Sequence, residues 1–243
     1  MKPANQVALV TGGNKGIGLA VCRKLAKDGF KVILAARTLE KAQAACARLQ
    51  TEGLNAFPLK LDVTSDEEVT QAFGMISNQF GRLDVLVNNA GVLLDPPRHP
   101  PNAEGASVFN ASLDVIRASL ETNTFGALRL CQKFVPLMRA HNYGRIVNLS
   151  SGMGQLEDMN GGWPGYRLSK VALNALTRIL ADELSGTNIL VNSVCPGWVQ
   201  TDMGGEDAER TPDEAAVPIV WAASLPDGGP SGRFFRDCEE IGW

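Results

Sequence analysis

Tyr166 and Lys170, in the run Tyr-Arg-Leu-Ser-Lys, stand four residues apart and so share one face of a helix. A neighbouring ammonium favours the phenolate, so the spacing predicts a Tyr166 pKa drawn down from about 10 towards the working pH. Such a phenol gives a proton to a carbonyl oxygen as hydride arrives, and takes it back in the reverse reaction. The pair is short, and alone it is only suggestive. Its weight comes from a second motif near the start of the chain.

That motif is Thr11-Gly12-Gly13-Asn14-Lys15-Gly16-Ile17-Gly18, which follows an apolar run and precedes a helical pattern. Glycines at 12, 16 and 18 allow a tight strand-to-helix turn and a close approach of backbone to a pyrophosphate. The helix start then offers free N–H groups and a positive dipole end to phosphate. A chain built for NAD carries Asp or Glu at the end of its second strand to hold the ribose hydroxyls. Here that strand ends Ala35-Ala36-Arg37, with no carboxylate. Arg37 suits bidentate contact with a 2′-phosphate and Lys15 adds a cation from the glycine loop, so the expected cofactor is NADP(H).

These side chains need a scaffold, and the hydrophobic pattern supplies one. Apolar runs at Val7 to Val10, Val32 to Ala36, Phe57 to Leu61, Val85 to Val87, Ile146 to Leu149 and Ile189 to Val194 lack polar alternation, as strands covered on both faces do. Helical spacing fills the intervals, as in Leu19, Val21, Cys22 and Leu25, or Val69, Phe73 and Ile76. The rhythm predicts an α/β fold: one Rossmann-type domain over residues 1–243, a doubly wound parallel sheet with helices on both faces. Loops at 92–111, 152–165 and 198–212 break the rhythm and are expected to face the substrate. The first holds Asp95-Pro96-Pro97-Arg98-His99-Pro100-Pro101; the last reads as a flap before a helix beginning at Pro212.

Composition narrows the function classes. A net charge of −3 gives no broad basic surface for nucleic acid or anionic membrane. Five cysteines, at 22, 46, 131, 195 and 238, are odd in number and widely spaced, which fits reduced thiols and neither a disulfide framework nor a zinc site. A serine hydrolase would need a Gly-x-Ser-x-Gly turn and a nearby base, and the chain has only His99 and His141. No metal-ligand cluster is apparent, so no metal is expected. With no signal peptide and no apolar stretch of membrane-spanning length, a cytoplasmic protein is the expectation.

The glycine run, Asn88-Asn89-Ala90-Gly91, Ser151, Tyr166-x-x-x-Lys170 and Pro196-Gly197 together resemble the short-chain dehydrogenase/reductase family over essentially the whole chain. The glycine run, Pro196-Gly197-Trp198-Val199-x-Thr201-Asp202-Met203 and Gly229-Pro230-Ser231-Gly232 resemble its carbonyl-reductase branch. The resemblance implies that Asn123, Ser151, Tyr166 and Lys170 act as a unit. Ser151 would polarise the carbonyl, Asn123 would hold a water linking Lys170 to solvent, and Lys170 would also bind the nicotinamide ribose. Gly12, Asn14, Lys15, Gly16, Ile17, Gly18 and Arg37 would cradle the phosphates and Asp62 with Val63 would meet the adenine. Asn89, Ala90 and Gly91 would line the cofactor, and Pro196, Gly197, Val199 and Thr201 would close over its nicotinamide side.

Leu94, Met153, Trp198 and Met203, with Leu156 and Trp163, would form an apolar wall suited to a ketone, aldehyde or quinone. Vertebrate carbonyl reductases carry a long insertion between the Ser and the Tyr where this chain has fourteen residues. That insertion accompanies a monomeric state, so its absence leaves the oligomeric state open; the resemblance implies the family's common assembly, through the helices that carry Asn123 and Tyr166, which inclines the reading towards a homo-oligomer. Alcohol oxidation with NADP, 3-ketoacyl reduction and a non-catalytic NADP(H) sensor are the alternatives, the last free to lose Tyr166 or Lys170.

Overall fold

A computed structural model describes residues 6–96 and 107–243. Eight strands form one sheet in the order β3-β2-β1-β4-β5-β6-β7-β8. They are β1 (Val7–Val10), β2 (Lys31–Ala36), β3 (Ala56–Lys60), β4 (Val85–Asn88), β5 (Gly144–Leu149), β6 (Ile189–Val194), β7 (Phe234–Arg236) and β8 (Glu239–Glu240). All neighbours are parallel except β7 and β8. The six apolar runs are thus strands, each within two residues of its expected bounds. The chain winds outward both ways from β1, so a crevice opens between β1 and β4 at their carboxyl ends, where ligands of such sheets bind.

The helices are α1 (Gly16–Lys27), α2 (Leu39–Thr51), α3 (Asp66–Phe80), α4 (Leu113–Leu120), α5 (Gly126–Ala140), α6 (Pro164–Glu183) and α7 (Pro212–Ala223). Alternation along β1 shows how both faces are covered. Ala8 and Val10 pack with α1, α2 and α7 on one side, while Val7 and Leu9 pack with α3 and α5 on the other. Starts of helices follow local chemistry: Ser65 caps α3, and Thr211 with Glu214 forms a capping box that begins α7 at Pro212, as its sequence predicts.

Three features were not foreseen. The 152–165 loop is shorter than expected, because Gly152–Gly154 is a 3₁₀ turn and α6 already begins at Pro164. Glu121–Phe125 is a π-helical turn joining α4 to α5. The last two strands form a tight hairpin whose central residues, Asp237 and Cys238, both have positive φ (53° and 67°), the geometry of a type I′ turn.

At the amino end of the sheet the side chain of Arg145 is fully buried. It donates to the carbonyls of Leu225, Gly144 and Asn188 at 2.7–2.9 Å, pairs with Asp227 at 2.9 Å, and lies 4.3 Å over the Tyr143 ring. All five cysteines are free, four of them buried. No described helix is long and apolar enough to cross a membrane.

Candidate active site

Helix α6 begins at Pro164, whose fixed φ and missing N–H suit a first helical position. Its inward face carries Tyr166, Ser169 and Lys170, all buried, with Tyr166 8% and Lys170 5% exposed. The Lys170 ammonium donates to the carbonyl of Leu149 at the end of β5 (2.7 Å) and lies 5.5 Å from the centre of the Tyr166 ring. Ser151, just past β5, hydrogen-bonds the Tyr166 phenol, and its Oγ also accepts from the backbone of Met153 at 3.1 Å.

The expected lowering of the Tyr166 pKa is not what this arrangement gives. Burial pushes the phenol up to about 12, and the bond from Ser151 only partly opposes it. Burial also pulls Lys170 down to about 8, with the nearby Cys195 thiol acting the other way. Desolvation penalises the charged form of each group and is the largest cause of both shifts. Tyr166 is therefore a protonated phenol across the neutral range.

Asn123 sits in the π-helical turn, a feature that recurs at functional sites. Its amide donates to the Val92 carbonyl and to Ser169 Oγ, both at 2.9 Å, and its oxygen accepts from the Val92 N–H at 2.8 Å. Both donors are thus engaged, and the side chain ties the segment after β4 to α6. The same oxygen and Lys170 Nζ flank Gly91, where a Cβ would lie 3.2 and 3.7 Å from them.

The glycine loop has the form of a phosphate cradle. Gly12 and Gly16 adopt left-handed φ (62° and 52°), and a Cβ on Gly18 would come within 2.6 Å of Asn89 Nδ2 and collide with the Gly12 carbonyl. Lys15, at the N-cap of α1, gives no side-chain cap, and the first turn holds no acidic residue, so the helix start is left for an external anion. Arg37 is exposed at the end of β2 and makes no ion pair among the described residues. These features fit a dinucleotide carrying an extra phosphate. Asn89 works from behind the loop, its amide donating to the Thr11 carbonyl at 2.7 Å while Thr11 Oγ1 accepts from the N–H groups of Asn89 and Ala90. Asp62, two residues past β3, lies in the field of Arg37. Burial opposes its ionisation, but bonds from Thr64 and the field of Arg37 prevail and hold its carboxyl below the usual range.

The short chain dehydrogenase family model matches residues 6–212. Carbonyl reductase [NADPH] 1 of Mus musculus is 34% identical, the alignment covering all of both chains. The structure of NADPH-bound carbonyl reductase from chicken fatty liver is 27% identical with a TM-score of 0.85, over 99% of each chain. Salutaridine reductase from Papaver somniferum is 29% identical with a TM-score of 0.84, over 96% of this chain and all of the other. The chain belongs to the short-chain dehydrogenase family. Its curated relatives place it in the carbonyl-reductase-like branch, among oxidoreductases.

In this family member the 198–212 segment is a tied loop. Val199 bridges Arg210, Gln200 N–H donates to the Arg210 carbonyl at 2.8 Å, and Trp198 Nε1 donates to the Gly204 carbonyl at 2.7 Å. Gly197, after the buried Pro196, turns with φ 81° beneath the Arg210 side chain. Thr201 lies against Gly16, and Lys15 is paired with Asp202. Lys15 therefore stands engaged across the crevice, where the sequence suggested an unpaired cation. Leu94, Trp198 and Met203 expose 44–52% of their surface, and Met153 is half-buried. The later part of the proline-rich loop, 97–106, lies outside the described residues.

Several further residues shape the site in ways that the sequence motifs did not assign to them. Arg167, inside the Tyr-x-x-x-Lys run, is itself buried beneath the 152–165 loop, donating to the carbonyls of Gly162 (2.8 Å) and Met153 (3.4 Å) and to Asn160. Asn88, Asn148, Thr177 and Ser193 form a buried chain of hydrogen bonds, each 2.8 Å, that pins α6 to the sheet. Cys195 Sγ accepts from the Gly152 N–H at 3.1 Å and from Arg236 at 3.3 Å. Asp95 caps α6.

Proposed function

We propose that this protein reduces a ketone, aldehyde or quinone carbonyl to the alcohol, with NADPH as the reductant and Tyr166 as the proton donor. One observation carries the reading: a buried, protonated phenol and a buried ammonium share a helix face, with Ser151 bonded to the phenol, at the sheet edge that also holds the glycine cradle. Two of the three relatives named above, the mouse and chicken carbonyl reductases, carry NADPH in their names, and Arg37, which makes no ion pair among the described residues, suits a 2′-phosphate.

When bound, the cofactor supplies a hydride to the carbonyl carbon. Gly12, Asn14, Gly16, Ile17 and Gly18 would line its phosphates, with Lys15 and Arg37 as cations. Asp62 and Val63 would border the adenine, and Asn89, Ala90 and Gly91 would form the floor. Pro196, Gly197, Val199 and Thr201 would close the nicotinamide side. Ser151 would orient the substrate carbonyl by hydrogen bonding, holding its oxygen next to the phenol. Tyr166 then passes its proton to that oxygen, and Lys170, charged below about pH 8, stabilises the negative charge left on the phenolate. Asn123 holds the Val92 backbone and Ser169, fixing the wall beside Lys170.

A protonated phenol at neutral pH is the form that reduction uses, whereas oxidation needs that group deprotonated first. The apolar wall of Leu94, Met153, Trp198 and Met203 suits an uncharged substrate. Exposed carboxylates on the two described loops, Glu157, Asp158, Asp202, Glu206, Asp207 and Glu209, disfavour an acidic carrier protein and so 3-ketoacyl reduction on one. The test is NADPH consumption across ketones, aldehydes, quinones and 3-ketoacyl thioesters, with NADH in parallel. Turnover of the first three groups with preference for NADPH is expected. Tight NADPH binding without turnover of any of them would contradict the reading.

A further inference from the structure

Helix α6 lacks a cap of its own. Trp163, at the N-cap position, stands in the left-handed region (φ 49°) and gives no side-chain cap, and Pro164 has no N–H to offer. The next two N–H groups both donate to one carboxylate 70 residues earlier in the chain. Asp95 Oδ1 accepts from Gly165, and Oδ2 accepts from Tyr166 itself, each at 2.8 Å. Asp95 is only 5% exposed, and a charge so buried is tolerated because two N–H groups and the positive end of the helix meet it. Gly165 makes this approach feasible: a Cβ there would stand 3.2 Å from both carboxylate oxygens and 3.1 Å from Ser119 Oγ. The carboxylate therefore rests directly on the helix backbone.

Asp95 also lies one residue past Leu94, on the segment whose other end, Val92, is held by Asn123. A short stretch of chain thus joins the π-helical turn to the first turn of α6. We propose that Asp95 is a positioning residue for the proton donor. By bonding the backbone N–H of Tyr166 it fixes where that residue stands against Ser151, and it links this position to the substrate-facing segment at Leu94. An ordinary cap would come from the residue just before the helix and would report on nothing else. This one comes from the substrate wall. The inference rests on the reading of Tyr166 as the proton donor.

The test compares Asp95→Ala and Asp95→Asn with Tyr166→Phe in the full chain, measuring kcat, KM for a ketone substrate, NADPH Kd and Tm. Misplacing a reacting group by a fraction of its contact distance is expected to lower kcat of Asp95→Ala about 10- to 100-fold while NADPH Kd stays within about twofold. Asparagine keeps one acceptor oxygen, so Asp95→Asn should recover part of the loss, with a kcat between the two. Unchanged kcat in folded Asp95→Ala, or a loss in KM and NADPH affinity alone, overturns the inference. Should the alanine variant not fold, unchanged kcat in Asp95→Asn overturns it equally. If Tyr166→Phe keeps full turnover, the proton-donor reading itself falls; if Tyr166→Phe is dead while Asp95→Ala is fully active, only the role of Asp95 falls.

Discussion

Two buried cations lie at opposite ends of β5, and they are treated very differently. Arg145, near its amino end, spends its donors on three carbonyls and a carboxylate and rests on an aromatic ring. Lys170, against its carboxyl end, makes a single hydrogen bond, to Leu149, and burial drags its pKa down to about 8. A cation with all three guanidinium nitrogens bonded serves as a fastener between β5, β6 and the chain after α7. In the mechanism proposed above, one left short of partners is held ready to take up charge changes in a neighbour, here Tyr166. Both are buried cations packed at β5, Arg145 from the strand itself and Lys170 from helix α6. The difference between structure and chemistry lies in how fully each is satisfied.

Mirrored substitutions break that comparison most sharply. Lys170→Met should lower kcat by at least about 100-fold, yet leave Tm unchanged or higher. The sign follows from the depressed pKa: at neutral pH the charged lysine costs the fold roughly 3 kcal/mol, a cost that fades as pH rises from about 8 towards the ordinary value of 10.5. Arg145→Met should do the opposite, orphaning buried carbonyls at a cost of about 3 kcal/mol in denaturant unfolding, with kcat of the folded fraction unaltered. A large loss of kcat in Arg145→Met, or of stability in Lys170→Met, would erase the distinction.

A smaller effect concerns the cofactor cradle. Replacing Ala36 by Asp together with Arg37→Ala should move the ratio of kcat/KM for NADPH over NADH by about 10- to 100-fold towards NADH. Survival of the NADPH preference would mean that Lys15, released from Asp202, suffices. The mildest test is pH. Reductive kcat should be level in the neutral range and fall as pH rises through about 8, where Lys170 gives up its proton. A profile that instead rises there would indicate that Tyr166 works as a base.

Much of this was legible in the sequence because it depended on local pattern. The six long strands declared themselves by unbroken apolar runs, and Pro212 marked the start of α7. The glycine loop and the Tyr-x-x-x-Lys face were likewise contained in a few consecutive residues. What escaped was decided by tertiary contact. Phe234–Arg236 and Glu239–Glu240 are too short for periodicity, and their turn uses Asp-Cys where Asn-Gly would have signalled it. The pKa of Tyr166 was misjudged because helix spacing reveals a neighbouring charge but not the burial that outweighs it. The pairing of Lys15 left no local trace because Asp202 is 187 residues away, and nothing in the proline-rich loop pointed Asp95 at the start of α6.

The most direct test of the central claim is the single-turnover rate of NADPH oxidation by Tyr166→Phe with saturating ketone at neutral pH. The account predicts a rate about 100- to 10,000-fold below that of the unaltered chain, with NADPH bound as tightly in both. A phenylalanine variant that oxidises NADPH at the original rate would contradict it.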